Sequence, residues 1–150
     1  MHTIRFTKEG LEKLKQEQTD LIAARPAVIE DLKKAREMGD LKENGYYQAS
    51  RRKLNFIDGR LFRIKMQLKQ AVVVDTTKTD YVTIGSIISL NNNAGEQVYT
   101  MVGDLEANPS EGKISLLSPL GRAVDGKKVG EKVVIETPRG KTIFTLTNIS

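Results

Sequence analysis

The sequence predicts an α+β chain: an N-terminal antiparallel coiled-coil helical hairpin, then an antiparallel β domain with one short helix. Two observations carry this. Leu54, Ile57, Leu61, Ile64, Leu68 and Ala71 recur at spacings of 3, 4, 3, 4 and 3, the seam of a coiled coil. From residue 72 onward, β-branched runs alternate with turn-forming clusters instead.

Thr7 is the expected N-cap of the first helix, with Glu9 in its first turn where the macrodipole favours an acid. Leu11, Leu14, Leu21, Val28, Leu32 and Ala35 then fall on a/d-type positions, and Ile22 and Ile29 are expected to widen the stripe. Gln18 and Arg25 interrupt it, and Pro26 predicts a kink or a restart. Between the two stripes, Met38-Gly39-Asp40-Leu41-Lys42-Glu43-Asn44-Gly45 has glycines where a chain can reverse. Two such arms of about 30 residues make a rod roughly 45 Å long. A two-helix rod buries little surface and needs an anchor.

The second half supplies one. Strand-like runs cover 72–75, 81–90, 97–102, 113–117, 131–137 and 141–149, separated by turn signals at 91–95, 108–112 and 138–140. Residues 119–127 predict a short helix, with Pro119 at its first position behind a Ser118 cap. The division expected is 1–75 for the hairpin and 76–150 for the β domain.

The 150 residues include 24 Lys or Arg and 19 Asp or Glu, a net charge of +5. The whole excess lies in 46–75, where Arg51, Arg52, Lys53, Arg60, Arg63, Lys65 and Lys69 face only Asp58 and Asp75. A solvated helix face explains an ordinary basic run. Concentration on one segment adds weight to a polyanionic partner. Cysteine is absent and His2 is the only histidine, which excludes disulfides, thiolate nucleophiles, His-dependent triads and clustered-His metal sites. His2 is expected to be solvated. The longest aliphatic run, Ala71-Val72-Val73-Val74, is far short of a membrane span, and residues 1–10 lack the pattern of a signal peptide. A cytoplasmic protein with no membrane partner is the expectation.

Asp40 and Glu43 are three residues apart, so a helical start there puts both carboxylates on one side. Such a pair can share a divalent cation or order a water. It cannot complete a Mg²⁺ shell, which takes about six oxygens, so a catalytic metal would be held jointly with another macromolecule. The same spacing suits Asp40 as N-cap of the returning helix with Glu43 as its N3 partner. Both roles are compatible, since a cap can stay exposed.

Ala35-Arg36-Glu37-Met38-Gly39-Asp40-Leu41-Lys42-Glu43-Asn44, followed by Tyr47, resembles the tip signature of the bacterial transcript-cleavage factors GreA and GreB. The second half is similar to the same family in Val102-Gly103-Asp104, in Ile114-Ser115-Leu116-Leu117-Ser118-Pro119-Leu120-Gly121-Arg122-Ala123, in Gly126-Lys127 and in Glu136-Thr137-Pro138. The resemblance implies a coiled-coil hairpin joined to an FKBP-like domain, acting as a monomer. It implies docking on bacterial RNA polymerase, with the tip inserted through the secondary channel to assist cleavage of the nascent RNA 3′ end in backtracked complexes. Asp40 and Glu43 would then help hold a Mg²⁺ shared with the polymerase active centre and orient the attacking water. The chain would have no cofactor and no catalytic activity of its own. Carboxylates near an RNA phosphate repel it unless a metal lies between them, which fits a ligand role. The resemblance further implies that Arg51, Arg52 and Lys53, about two turns behind the tip, contact the extruded RNA. Ser118 and Pro119 match the family segment near the polymerase-docking face, and they equally suit capping of the short helix.

Some residues depart from the family pattern. Tyr46 stands where relatives often carry an acid, Gly45 where alanine is usual, and Arg52-Lys53 where GreA is commonly neutral or acidic; Gly121 interrupts Ser-Pro-x-Ala-Arg. Less acid at the tip with more base behind it resembles GreB. A secondary-channel regulator that inhibits or modulates polymerase without stimulating cleavage is the alternative. A prolyl isomerase would want an aromatic-lined pocket, for which the second half offers only Tyr81, Tyr99 and Phe144, better suited to a core. General nucleic-acid (including DNA) binding through the basic helix would leave the second half unused. Tyr47 is expected to stiffen the seam beneath the tip, and Phe56 and Phe62 to pack at the hairpin's edge or on the β domain. Magnesium titration of the free protein, followed by calorimetry, is expected to show no tight stoichiometric site; tight binding lost in Asp40→Ala would overturn the shared-metal reading.

Overall fold

The computed structural model describes residues 2–39 and 44–150. The chain folds as two compact units, residues 12–70 and residues 1–11 together with 71–150.

The helical unit is made by α1 (Lys8–Arg36) and α2 (Gly45–Gln70). Thr7 caps α1, its Oγ1 accepting from the Gly10 amide at 3.0 Å. Along the seam Leu14, Val28 and Ala35 of α1 are buried, as are Tyr47, Ser50, Ile57 and Ile64 of α2. Ion pairs flank this seam. Arg25 Nε donates to Asp58 Oδ1 at 2.7 Å, and Arg60 Nε donates to Glu17 Oε1 at 2.6 Å. One partner's number rises as the other's falls, so the helices run antiparallel. Arg25, which breaks the apolar spacing, thus has a specific partner on the opposite helix. The restart expected at Pro26 does not occur, because α1 continues through it.

Several apolar residues are not where the sequence suggested. Ile22 and Ile29 are exposed rather than widening the buried stripe, and Phe56 and Phe62 are 64% and 65% exposed rather than packed. A helix with one partner buries one narrow stripe, and these four lie outside it. Gly59 lies mid-helix with nothing within 4 Å of where a Cβ would stand. Packing does not require a glycine there, and α2 forgoes about 0.5–1 kcal/mol relative to alanine.

In the β unit, β1 (Ile4–Phe6) pairs in parallel with β2 (Ala71–Val73), Ile4 opposite Ala71. The remaining strands are β3 (Ile87–Asn92), β4 (Gly95–Val102), β5 (Lys113–Ser115), β6 (Lys132–Thr137) and β7 (Gly140–Ile149), in the order β5-β4-β3-β7-β6. Two tight hairpins, β3–β4 and β6–β7, follow the predicted turns. The sheet is mixed rather than antiparallel, since β5 joins β4 in parallel. The connection over 103–112 crosses back instead of turning, which reverses the expected direction. Only the end of the run at 81–90 is strand, because Gly85, at φ +97°, and a turn from Thr83 to Ser86 interrupt it. The short helix α3 (Pro119–Val124) ends earlier than predicted, before Gly126 at φ +74°. Its Gly121 lies against the chain at Ser115, where a Cβ would come 2.0 Å from the Ser115 carbonyl oxygen. Val82, Ile88, Leu90, Met101, Val124, Val133 and Leu146 form the fully buried centre.

Residues 1–11 join this unit because the segment after β4 holds them. The Arg5 amide donates to Asp104 Oδ2 at 2.7 Å, and the Asp104 amide donates to the Arg5 carbonyl at 2.8 Å. Arg5 Nη2 adds an ion pair to Asp104 Oδ1 at 3.0 Å. Glu106 accepts from the Thr7 amide at 2.9 Å and from the Thr7 hydroxyl. The compact units therefore differ from the division expected at 75/76: the first strand and the first turn of α1 fold with the β unit.

Hydrogen bonding to Arg60 holds the Glu17 carboxyl below its ordinary range, and Arg25 does the same for Asp58. Carboxyls depressed in the folded state stabilise it above their unfolded pKa of about 4 and lose that contribution as pH falls through the folded value. Comparing thermal unfolding of the wild type with the Arg25→Met/Arg60→Met variant from pH 7 to pH 2.5 is therefore expected to show a stability gap that closes on acidification. A gap that does not change with pH would rule the pairs out as its source.

Candidate functional site

Asp40 and Glu43, the sequence's sharpest candidates, lie outside the described residues, as do Leu41 and Lys42. What the structure describes is the base on which that segment stands. Gly39 ends the incoming side at φ +126°, a conformation that glycine adopts without a Cβ penalty. On the returning side, Asn44 joins both helices. Its Nδ2 donates to the Ala35 carbonyl at 2.7 Å, and its Oδ1 accepts from the Tyr47 amide at 3.1 Å. One amide side chain thus caps the end of α1 and the start of α2. The capping role considered for Asp40 and Glu43 is filled instead by Asn44, because α2 begins only at Gly45. Asparagine ranks among the best N-caps, so the signal was present, but the earlier Asp40 offered an equally good one.

Below Asn44, Tyr47 is buried, as its seam position predicts. The Arg36 guanidinium carbon lies 5.9 Å from its ring centroid, and Arg51 Nη1 donates to its hydroxyl at 3.5 Å. Hydrogen bonding to Arg36, with a further contribution from Arg51, lowers the phenol's pKa against the opposing effect of burial. Arg51 is therefore tied to the turn's base. Arg52 and Lys53 are exposed on the same turn of α2.

Ser118 and Pro119 lie in the β unit. Ser118 Oγ accepts from the Gly121 amide at 3.0 Å and donates to the Ser115 carbonyl at 2.7 Å, so Ser118 caps α3 as the sequence suggested. Pro119 is exposed beside it. Leu105 and Leu117, 51% and 52% exposed, line an open groove of about 680 Å³ together with His2, Thr3, Ile4, Arg5 and Asp104. His2 is exposed, as expected. Phe144 belongs to the core and Tyr99 packs against it, whereas Tyr81 is exposed rather than in the core. These three do not assemble a proline pocket. Among the described residues no group of three or more His, Cys, Asp or Glu side chains could hold a metal ion, and no helix is long and apolar enough to cross a membrane.

Comparison with known families covers nearly the whole chain. The model for "Transcription elongation factor, N-terminal" matches residues 4–73, and that for "Transcription elongation factor, GreA/GreB, C-term" matches residues 76–150. The chain belongs to the GreA/GreB family. Its relatives include transcription elongation factor GreA of Bacillus cytotoxicus, 39% identical over 144 residues, with 93% of this chain and 91% of that one covered. GreA of Pelobacter propionicus is 39% identical over 153 residues, covering 99% and 97%. Among solved structures, GreA factor homolog 1 of Thermus thermophilus is 25% identical with a TM-score of 0.47, covering 99% of both chains. The protein is thus a transcription elongation factor of the GreA/GreB family.

Removing the Asn44 side chain leaves the Ala35 carbonyl and the Tyr47 amide without their partner. Asn44→Ala is expected to cost about 1–2 kcal/mol, read from denaturant unfolding followed by helical circular dichroism. Asn44→Ser keeps the shorter cap alone and should recover part of the loss; equal stability of all three proteins would show that the bridge contributes nothing.

Proposed function

We propose that this GreA/GreB-family factor binds bacterial RNA polymerase in the cytoplasm, enters its secondary channel by the turn of the helical hairpin, and stimulates the polymerase's own cleavage of backtracked RNA at the 3′ end. Family membership across both segments supports this reading, and the observation that carries it is the presence of both Asp40 and Glu43 in the tip motif. The factor is a helper of the polymerase rather than an enzyme.

In this reading Asp40 and Glu43 supply carboxylate oxygens to a Mg²⁺ shared with the polymerase active centre. Two carboxylates are a fitting but incomplete donor set for that ion, which matches joint holding. When bound, the ion supplies activation of water and stabilisation of the leaving oxygen for phosphodiester hydrolysis. The chain's own work is positional. Asn44, Tyr47, Arg36 and Arg51 fix the base of the turn, so that the carboxylates are presented from ordered helix ends. Pre-organisation of this kind lowers the entropic cost of reaching the reactive arrangement.

Arg51, Arg52 and Lys53 are read as contacts for the extruded RNA, with Arg51 held toward Tyr47 and the other two exposed. Contacts to phosphate made by exposed cations weaken with added salt. Ser118 and Pro119 are read as part of the polymerase-docking face, a role supported by the exposed apolar side chain of neighbouring Leu117. Capping of α3 and docking are compatible, because the cap uses Ser118 Oγ and leaves Pro119 exposed.

The deciding assay uses a backtracked polymerase complex carrying 3′-labelled RNA. The wild-type protein is expected to release short 3′ fragments, while Asp40→Ala and Glu43→Ala retain polymerase binding and slow release by a factor of about 100 or more, the scale of losing one charge-stabilising contact. Binding without stimulated release would refute the cleavage function in favour of a channel-blocking regulator.

A further inference from the structure

Strand β6 comes last in the sheet order, so one of its two sides is an edge. Among the described residues no strand or bridge lies against that side. The groups it presents follow from the ladder with β7. The Leu146 amide donates to the Glu131 carbonyl at 3.0 Å, and bonded and unbonded positions alternate along an antiparallel pair. Val133, Ile135 and Thr137 therefore take the bonds to β7, while Lys132, Val134 and Glu136 turn their N–H and C=O groups outward. Side chains alternate as well. Val133 and Ile135 face the core, and Lys132, Val134 and Glu136 stand exposed on the opposite face.

That face is apolar at its centre and charged on either side. Val134 is 49% exposed and lies opposite Ile143, itself 56% exposed. Lys132 precedes Val134 by two residues and makes no ion pair among the described residues. Glu136 follows it by two and lies opposite Lys141, with their heads 3.5 Å apart. Both of those side chains are more than two-thirds exposed, which leaves the carboxylate open to a second cation.

Edge strands with free backbone groups pair with other strands unless something prevents it, and edge lysines are a common deterrent. Here the deterrent is selective. When a second β6 runs antiparallel about a twofold axis through Val134, Lys132 of each copy faces Glu136 of the other. Each facing pair can then exchange both of its backbone bonds. Ile143 and Val134 of the two copies line up in one apolar row between the two charged rows. A shift of two residues in either direction sets Val134 against a charge, and a parallel arrangement brings like charges alongside each other.

We infer that the β6 edge is a homodimer interface: two copies of this chain join β6 to β6, antiparallel and centred on Val134, into one continuous sheet. The Lys132–Glu136 pairs fix the register, and Val134 and Ile143 supply the apolar contact. So short a pairing buries less than the roughly 1,200 Å² of stable interfaces, and a Kd on the order of 0.1 mM is expected. The dilute chain is then the monomer that the family resemblance implies. The inference is independent of the cleavage reading, since it uses neither the tip nor Ser118 and Pro119.

Sedimentation velocity of the whole chain, at concentrations from well below to well above that Kd, tests the interface. The wild type is expected to pass from monomer to dimer. Val134→Pro removes an outward N–H, which an edge strand tolerates, and is expected to remain folded and monomeric. The charge variants do not rely on that tolerance. Lys132→Glu and Glu136→Lys each set like charges opposite one another and are expected to weaken dimerisation by at least about tenfold. Mixed in equal amounts, these two are complementary and should dimerise with each other. The double exchange Lys132→Glu/Glu136→Lys should dimerise with itself, a pattern that general damage to the fold does not produce. A wild type that stays monomeric throughout would overturn the interface. Dimers indifferent to Val134→Pro and to both charge variants would place the contact elsewhere and overturn it equally. A monomeric wild type whose polymerase binding is lost in folded Val134→Pro would give the edge to the polymerase instead. Release of RNA from backtracked complexes is measured separately, so failure of the cleavage reading leaves the sedimentation result standing.

Discussion

Two carboxylates after β4 hold the start of the chain. Asp104 takes the Arg5 amide and guanidinium, while Glu106 takes the amide and hydroxyl of Thr7, the residue that caps α1. Glu106 lies in space left by two glycines. A Cβ on Gly10 would come 2.1 Å from its carboxyl carbon, and one on Gly103 would come 1.9 Å from an oxygen. Every partner in this cluster is therefore constrained by another. Charge-assisted hydrogen bonds to backbone amides are stronger than neutral ones, and replacing either acid leaves buried donors unsatisfied. The three-residue strand β1 is held besides by its short pairing with β2 and by burial of Phe6.

The helical unit follows a different economy. Its buried stripe is narrow, with Ile57, Ile64, Val28 and Ala35 as the dry positions, and polar pairs take over where apolar spacing lapses. Exposed pairs add little to stability, but bidentate Arg–carboxylate geometry specifies which residues face each other. Register here is as much electrostatic as apolar. The turn base continues that pattern, with Asn44 and the arginines around Tyr47 supplying directional contacts where there is no room for a core.

Much of the fold was legible because periodicity reports burial directly. The α2 seam, the Thr7 and Ser118 caps and both β-hairpins follow from local rules. What escaped was non-local. Nothing in residues 4–6 announces a strand, because β1 exists through Asp104 and β2, and the parallel entry of β5 depends on the path of 103–112. The exposed Phe56 and Phe62 were misplaced because an apolar residue on a helix was assumed to find a partner. At the turn, the motif carries the proposed chemistry, whereas the side chain joining the helix ends, Asn44, is visible only as a member of that motif. Its bond to Ala35 joins residues nine apart, a distance that helical periodicity does not address.

That bond closes a ring. From the Ala35 carbonyl to the Asn44 amide, the chain leaves one helix and enters the next between two points fixed to each other. The cost of closing a loop grows only slowly with its length, so the clamp bears more on stability than the number of residues it encloses. Arg36, over the Tyr47 ring, and Gly39, at φ +126°, lie inside the closed ring, so the closure constrains sequence on the α1 side as well as at Asn44.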